Sequence, residues 1–380
     1  MAVRKPAYEQ GPIRPPSEAH SLLLRLTRNC PWNKCLFCPI YKGEKFSRRS
    51  VDEIKEDIAA IADAVDKIKT ISHKQGFNGV VNSSVFDLVQ NRFPEYISVA
   101  FWLYHGGENV FLQDGDGLRL SREQLQTILK FLNEKIPGIT RITTYARSKS
   151  ILRYSVEDLS KLKNAGLSRI HVGLESGNDR VLEFMNKGVS AAEHVEAGQR
   201  VVKAGISLSE YVLIGLGGRN LWREHALDTA KVLNEINPDF IRVRTLAVHP
   251  VAPLYEAVQQ GTFIPLDDDT AVKEELLLIE HLDNINSHFF SDHVLNLLEE
   301  VNGRFPEEKE HMINLIRTYL SYPDREREIF RLGRRMGYFR QLKDLSDIRR
   351  RSAVEEIYEQ LRQNGMDMDR YIAELMLRFI

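Results

Sequence analysis

Short apolar runs alternate with amphipathic helical stretches between residue 20 and about residue 250. This alternation is typical of βαβ units, in which helices connect the strands of a parallel sheet. Strands that are buried on both faces close into a barrel or part of one. The pattern therefore predicts an α/β fold, a partial (β/α)6 TIM-like barrel. Its six strands are expected at residues 22–26, 109–113, 139–145, 169–174, 207–214 and 240–246.

Local signals at the helix ends support this pattern. Ser50 and Glu53 predict a capping box at the start of a helix whose apolar positions recur at helical spacing. Ser121 begins another helix, and Gly166 ends a helix over 156–165. Further helices are expected at residues 178–186, 191–204 and 221–236.

The same pattern divides the chain into three parts. Residues 1–19 are proline-rich and predict an extended N-terminal arm. Residues 20–262 are expected to form the barrel, with an insertion at 70–108 that fits no repeat. Residues 263–380 show amphipathic helical stretches and no strand candidate, so they predict an all-helical C-terminal domain.

Arginine is concentrated between residues 325 and 351. We favour a solvated helix face whose charges are balanced by nearby acidic residues. The alternative is a patch that binds phosphate or RNA. The arginines concerned include Arg331, Arg334, Arg335, Arg349, Arg350 and Arg351.

Composition narrows the class of protein. Apolar residues make up 43% of the 380 and charged residues 28%, which is ordinary for a soluble globular protein. A net charge of −1 gives no overall attraction to nucleic acid or to an anionic membrane. No apolar run approaches the ~18 residues of a membrane span, and the N-terminus lacks the apolar segment of a signal peptide. Together with low cysteine use, these features predict a cytoplasmic protein without a membrane partner.

All three cysteines of the chain lie within nine residues, as Cys30, Cys35 and Cys38. An odd, clustered set of cysteines predicts a metal site rather than a disulfide framework. Three thiolates can hold three irons of a [4Fe–4S] cluster and leave the fourth iron open to a substrate or cofactor. The alternatives are a zinc site completed by His20 and an electron-transfer cluster closed by a fourth ligand.

Further unusual features fall at the carboxyl ends of the predicted strands, where barrels of this kind carry their chemistry. They are the cysteine loop, the segment from Gln113 to Asp116, Tyr145, Glu175 with Ser176, the turn from Gly215 to Gly218, and His249 before Pro250. We therefore expect the functional site at this end of the barrel.

The cysteine spacing is C-x4-C-x2-C, with Phe37 before the last cysteine. It resembles the signature of the radical SAM superfamily, whose usual spacing is C-x3-C-x2-C. The stretches 165–177 and 185–188 resemble members related to oxygen-independent coproporphyrinogen oxidase and the tRNA-modifying members of that superfamily. The resemblance covers roughly residues 20–255.

The resemblance implies that Cys30, Cys35 and Cys38 bind a [4Fe–4S] cluster whose open iron binds S-adenosylmethionine. Reductive cleavage would give a 5′-deoxyadenosyl radical that acts on an unknown substrate, either a tRNA or a small molecule such as a cofactor precursor. An electron donor such as flavodoxin or ferredoxin is expected. A nucleic-acid partner has only weak support, because the net charge is close to zero.

The resemblance also implies contacts to S-adenosylmethionine. Phe37 is expected beside the adenine. The segment from Gln113 through Asp114 and Gly115 to Asp116 corresponds to the one that binds the amino group in the family, and glycine there lets the backbone approach closely.

The remaining implied contacts lie on later strands. Glu175 and Ser176 are expected at the ribose hydroxyls or the amino-acid end, with a structural ion pair as the other interpretation of Glu175. Tyr145 and Gly215 complete the expected cofactor contacts. Either Arg242 or Arg244 would pair with the carboxylate, and we expect only one of the two to face inward; Arg244 is our choice.

Overall fold

The computed structural model describes residues 7–379, so residues 1–6 of the predicted arm lie outside the described residues. Within that range one sheet has eight strands in the order β1-β4-β5-β6-β7-β8-β9-β10. Its strands are β1 (Leu22–Arg25), β4 (Asn109–Gln113), β5 (Arg141–Ala146), β6 (Leu167–Glu175), β7 (Ser207–Ile214), β8 (Phe240–Thr245), β9 (His288–Phe290) and β10 (Asn302–Arg304). A separate antiparallel pair is formed by β2 (Thr27–Arg28) and β3 (Ser47–Arg48).

The sheet is parallel wherever it follows the predicted βα repeats. β4 pairs in parallel with β1 and β5, β5 with β6, and β8 with β7 and β9. β10 runs antiparallel to β9. All six predicted strands are present, and the α/β class with the parallel sheet of a partial TIM-like barrel is confirmed.

Helices lie in the connections between the strands and follow the last strand. They are α1 (Val51–Lys74), α2 (Ser83–Arg92), α3 (Ile97–Tyr104), α4 (Arg122–Lys135), α5 (Ser148–Ile151), α6 (Val156–Asn164), α7 (Asp179–Phe184), α8 (Ala191–Lys203), α9 (Gly218–Ile236), α10 (Leu254–Gln259), α11 (Asp268–Glu280), α12 (Lys309–Leu320), α13 (Asp324–Arg335), α14 (Ile348–Gln363) and α15 (Met368–Met376). The capping boxes expected at Ser50 and Ser121 are both formed. None of the described helices is long and apolar enough to cross a bilayer.

The chain divides into two compact units, each made of separate stretches of sequence. The first contains the chain up to Pro31, Gly43–Val172 and Arg200–Leu208, and the second contains Trp32–Lys42, Gly173–Gln199 and Ser209 onward. The domain boundaries drawn from the sequence stay a prediction.

Two short strands were missed in the C-terminal region. β9 and β10 have three residues each and pair with one another across eleven intervening residues, from 291 to 301. A strand of three residues is too short to show a two-residue period, so the expectation that no strand follows residue 265 is wrong in this detail. The rest of that region is helical, as predicted.

Buried ion pairs hold the arginine-rich helices. Arg331, Arg334 and Arg335 are only 2–5% exposed, so the expectation of a solvated face is wrong for these three. Arg334 pairs with Glu299 at 2.8 Å, and Arg335 pairs with Asp268 and donates to the Leu295 carbonyl at 2.8 Å. These guanidinium groups therefore serve internal packing. Arg350 and Arg351 are more exposed and are balanced by local acidic residues, as expected.

We expect Arg335→Met to cost about 3–5 kcal/mol of unfolding free energy, because it strands the carboxylate of Asp268 in the interior. Urea unfolding followed by circular dichroism measures this loss. Arg370→Met is the matched control, since its pair with Glu374 is largely exposed and should contribute less than about 1 kcal/mol. Equal losses in the two variants would contradict the assignment.

Candidate functional site

The loop that carries the cysteines has no regular secondary structure, so its conformation depends on a few left-handed residues and side-chain bonds. Asn29 and Asn33 adopt positive φ angles of 69° and 47°. Asn33 donates to the Tyr41 carbonyl and accepts from Lys42 Nζ at 2.9 Å. Asparagine is one of the few residues that tolerates this conformation, which explains its place beside the cysteines. Cys30, Cys35 and Cys38 are all partly exposed, and none is in a disulfide.

Asp114 fixes the start of this loop within the first unit. Its carboxylate is fully buried and accepts from Arg25 at 2.7 Å and from the backbone N–H of Asn29 at 3.1 Å. Burial raises the pKa of Asp114, although Arg25 and the backbone bonds oppose the rise. The residue expected to meet the cofactor amino group thus holds the backbone next to Cys30.

The side chain of Gln113 is hydrogen-bonded to the backbone of the N-terminal segment. Its amide accepts from the Gly11 N–H at 2.8 Å and donates to the Ile13 carbonyl at 2.7 Å. Gly115 follows at partial exposure. Tyr145 is also partly exposed, and its ring meets those of Phe111 and His171 edge to face at 5.1 and 5.9 Å.

Asp116 is fully buried and accepts from Ser150 Oγ at 2.5 Å. Its Oδ1 is buried without a hydrogen-bond partner among the described residues. Burial raises the pKa of Asp116 to about 6, against the opposing effects of Ser150 and Arg147.

The second half of the cysteine loop rests on residues 185–188, all within the second unit. Leu36 donates its backbone N–H to the Met185 carbonyl at 3.0 Å, and the Trp32 indole donates to the Asn186 carbonyl at 2.7 Å. Gly188 has φ +70°, and a Cβ there would lie 2.3 Å from the Trp32 ring. A glycine is therefore required for the indole to lie this close.

Glu175 occupies an unusual backbone conformation at the end of β6. Its φ is 65°, in the left-handed region, and its carboxylate pairs with Lys187 at 3.2 Å. The Lys187 ammonium also lies 5.7 Å from the centre of the Phe37 ring. The ion pair predicted as the other interpretation of Glu175 is therefore present. A strained residue of this kind at a strand end is a candidate functional position.

Glu210 is a buried carboxyl that the sequence did not single out. It is 1% exposed, and its Oε2 has no hydrogen-bond partner among the described residues. Burial raises its pKa well above the ordinary value, Lys187 opposes the rise and Glu175 adds to it. Glu210 therefore interacts electrostatically with the Lys187–Glu175 pair of the second unit.

One face of α9 holds the turn that follows β6. Thr229 Oγ1 accepts from the Gly177 N–H at 2.8 Å, and Asp228 accepts from the Asn178 side chain at 2.5 Å. A Cβ on Gly177 would lie 2.4 Å from the Asp228 carbonyl oxygen, so the helix and the turn are in close contact. Ser176 is buried within this turn, where its hydroxyl accepts from the Asn178 N–H at 3.0 Å.

Gly215 and the two candidate arginines lie at the ends of β7 and β8. Gly215 has φ +88° and donates its N–H to Glu274 at 3.1 Å. Arg242 and Arg244 are two residues apart on one strand, so they face the same side and the expectation that only one faces inward is wrong. Arg242 approaches Asp292 at 3.7 Å and the Phe290 ring, and Arg244 stacks over Tyr211 at 4.9 Å.

The donor set suits an iron–sulfur cluster. In a [4Fe–4S] cluster each thiolate binds a different iron, so the sulfur atoms need not converge on one point. Within residues 7–379 no three His, Cys, Asp or Glu side chains converge as ligands of a single ion. His20 is stacked on His105 at 3.9 Å between ring centres and meets Phe101 edge to face.

Residues 24–230, more than half of the chain, match the radical SAM superfamily. The chain belongs to the radical SAM superfamily. The resemblance inferred from the cysteine loop is thereby confirmed, and with it the cofactors of the family, a [4Fe–4S] cluster and S-adenosylmethionine.

Individual radical SAM relatives are distant. The heme chaperone HemW of Bacillus subtilis is 25% identical over 174 residues, covering 45% of this chain and 45% of that protein. The tRNA-2-methylthio-N(6)-dimethylallyladenosine synthase of Vesicomyosocius okutanii is 24% identical over 273 residues, covering 70% of this chain and 51% of that protein. The chain thus spans about half the length of these relatives. The solved structure of coproporphyrinogen III oxidase (HemN) from Escherichia coli, a radical SAM enzyme, aligns with a TM-score of 0.41 at 16% identity, covering 73% of this chain and 52% of that one.

We expect Gly188→Ala to loosen the cysteine loop of this radical SAM protein, because the new Cβ overlaps Trp32. Alkylation of Cys35 and Cys38 by iodoacetamide in the metal-free protein, followed by peptide mass spectrometry, should accelerate several-fold. Gly261→Ala is the matched control, since Gly261 has the same φ of +70° and open space around it. It carries the same backbone strain without the overlap, so equal acceleration in both variants would refute the role of the Trp32 contact.

Asp116→Asn should remove a pH-dependent loss of unfolding free energy. Burial raises the folded-state pKa of Asp116 from 3.8 to about 6, so the protonated form favours folding. Its stabilising contribution is complete below about pH 4 and is lost as the pH rises through about 6. A shift of this size corresponds to about 3 kcal/mol. Between pH 4 and 7 the wild type should lose about that much unfolding free energy relative to the variant in urea titrations, and a constant difference would contradict the burial effect.

Proposed function

We propose that this chain uses Cys30, Cys35 and Cys38 to hold a [4Fe–4S] cluster and binds S-adenosylmethionine at its open iron. The observation that carries the proposal is the cysteine loop itself. It holds every cysteine of a radical SAM chain, all partly exposed, and hydrogen bonds to distant residues fix both of its sides. When bound, the cluster supplies the electron that splits the cofactor into methionine and a 5′-deoxyadenosyl radical.

Residues at the strand ends are proposed to bind and orient the cofactor. Phe37 shields the cluster side of the loop, and the carboxylate of Glu175 binds polar groups of the cofactor from its left-handed position. Lys187 holds that carboxylate in place through a 3.2 Å ion pair. Arg244 is the cation for the cofactor carboxylate, because its guanidinium stacks on Tyr211 and is thereby held in one orientation.

The segment from Gln113 to Asp116 is proposed to act mainly through its backbone. The side-chain oxygens of Gln113 and Asp114 already accept hydrogen bonds from Gly11, Arg25 and Asn29. Gly115, which is partly exposed, leaves the backbone accessible between the two buried aspartates. Tyr145, Ser176 and Gly215 are proposed as further cofactor contacts.

The substrate class stays open between a tRNA and a small molecule. A tRNA-modifying relative covers 70% of this chain, which favours tRNA, whereas a heme chaperone covers 45%. Burial of Arg331, Arg334 and Arg335 in ion pairs removes the main basic patch that supported RNA. Membership of the superfamily does not favour a zinc-stabilised scaffold or a simple electron-transfer protein.

The proposal is tested anaerobically with the purified protein. After reconstitution with iron and sulfide, we expect about four irons per chain, and 5′-deoxyadenosine should form when S-adenosylmethionine and a strong reductant are added. Mass spectrometry detects the nucleoside.

Cys35→Ala should prevent assembly of the four-iron cluster and formation of 5′-deoxyadenosine. Arg370→Met, an exposed change on α15, should leave the iron content and the nucleoside yield unchanged. A protein that binds four irons and gives no nucleoside would refute cofactor cleavage. One that takes up only zinc would refute the cluster.

A further inference from the structure

A buried histidine–glutamate pair joins two helices of the second unit. His225 on α9 and Glu274 on α11 have side chains that are 1% and 0% exposed, and Nδ1 of the imidazole lies 2.6 Å from Oε1 of the carboxylate. The other ring nitrogen, Nε2, lies 3.2 Å from the backbone carbonyl oxygen of Glu175.

The partners of the imidazole define its charge. A backbone carbonyl can only accept a hydrogen bond, and so can an ionised carboxylate. Where the Glu274 side chain is a carboxylate, both ring nitrogens must carry hydrogen and His225 is an imidazolium. Burial alone would lower the pKa of His225, but Glu274, the Glu175 carbonyl and Asp228 outweigh it and raise the pKa.

The groups that face His225 come from three elements. Glu274 lies on α11, the Glu175 carbonyl on β6, and Asp228 one turn further along α9. Glu275, the neighbour of Glu274, is itself buried, and burial raises its pKa to about 8, so it adds little negative charge at neutral pH.

The pair holds the ends of two adjacent strands at once. His225 donates to the carbonyl of Glu175, where φ is 65°, and Glu274 Oε1 accepts the N–H of Gly215, where φ is 88°. Glycine adopts a positive φ without strain, but a non-glycine residue such as Glu175 needs external bonds to stay in the left-handed region. Asp228 and Thr229 bind the following residues, Asn178 and Gly177, whereas His225 binds the backbone carbonyl of Glu175 itself.

We propose that His225 and Glu274 are positioning residues that fix the left-handed backbone of Glu175, and with it the carboxylate that binds S-adenosylmethionine. Neither residue touches the cofactor in this scheme. Their effect passes through Glu175, and it links helix α11 of the C-terminal region to the cofactor. The inference rests on the proposed function, because that function gives Glu175 its role.

Cofactor binding without turnover tests the positioning role. The reconstituted protein is kept without reductant, and its affinity for S-adenosylmethionine is measured by equilibrium dialysis. Loss of a hydrogen bond from a charged donor typically weakens binding by about tenfold, so His225→Gln should raise the dissociation constant by about that factor. Glu224→Gln, on the exposed face of α9, is the control and should leave the affinity unchanged.

A double-mutant cycle separates positioning from general stability. If His225 acts through Glu175, His225→Gln should cost about tenfold in the wild-type background and almost nothing once Glu175→Gln is present. Its effect on thermal unfolding should be the same in both backgrounds. An equal loss of affinity in both backgrounds, or no loss in either, overturns the positioning role. Wild-type protein that binds no S-adenosylmethionine instead overturns the proposed function, and the role of the pair with it.

The charge state is tested on the metal-free protein, so this result does not depend on the cofactor. With 15N-labelled histidine, both ring nitrogens of His225 should be protonated at about pH 7.5, where an ordinary histidine is neutral. Glu274→Gln should make the ring neutral and also accelerate hydrogen exchange at the Gly215 amide. If His225→Gln does not fold, the Glu274→Gln variant carries the same cycle. A neutral ring in the wild type overturns the imidazolium assignment.

Discussion

The cysteine loop lacks regular secondary structure, so its backbone polar groups must be paired with distant residues. Both backbone groups of Leu36 are paired, as they would be in a β-strand. Its N–H donates to the Met185 carbonyl at 3.0 Å, and its carbonyl accepts from the Leu254 N–H at 2.9 Å. These two bonds tie Leu36, which lies between Cys35 and Cys38, to two segments far along the chain. The site depends on them, because thiols on an untethered loop could not present a fixed set of ligands.

Ion pairs within each unit fix residues near the strand ends. Asp114 with Arg25 fixes the residue before Cys30, Lys187 fixes Glu175, and Glu274 with His225 fixes the backbone of Glu175 and Gly215. The pairs Arg25–Asp114 and His225–Glu274 join residues that are 89 and 49 positions apart. A buried pair contributes little net stability compared with apolar residues of the same shape, but it strongly disfavours arrangements that leave one charge alone. In this chain such pairs specify geometry more than they add stability.

The sequence predicts the features that depend on neighbours along the chain. β4 and β7 coincide with the runs expected at 109–113 and 207–214, since a continuous apolar run between helical segments is a local signal. The capping boxes at Ser50 and Ser121 are local in the same sense. The cysteine motif identified the superfamily because its spacing lies within nine residues.

Features that depend on distant partners could not be predicted. The amide of Gln113 is used by residues about a hundred positions earlier, and Arg335 meets Asp268 across 67 positions. His225 and Glu274 are 49 residues apart, and neither belongs to a motif. The density of arginine suggested a solvent-exposed helix face, but Arg331, Arg334 and Arg335 lie in the interior. The one available hint for His225 was its spacing to Asp228 and Thr229, which puts all three on one helical face.

The attachment of Leu36 has a consequence for the order of events during synthesis. The bond to Leu254 forms only after 218 more residues have been made, because 254 − 36 = 218. At typical elongation rates this takes about 10–40 s. Throughout that interval the three thiols sit on a nascent chain with no fixed geometry, open to oxidation and to stray metals. A fixed set of thiol ligands is thus complete only after Leu254 has been made, and the thiols need protection from oxidation until then.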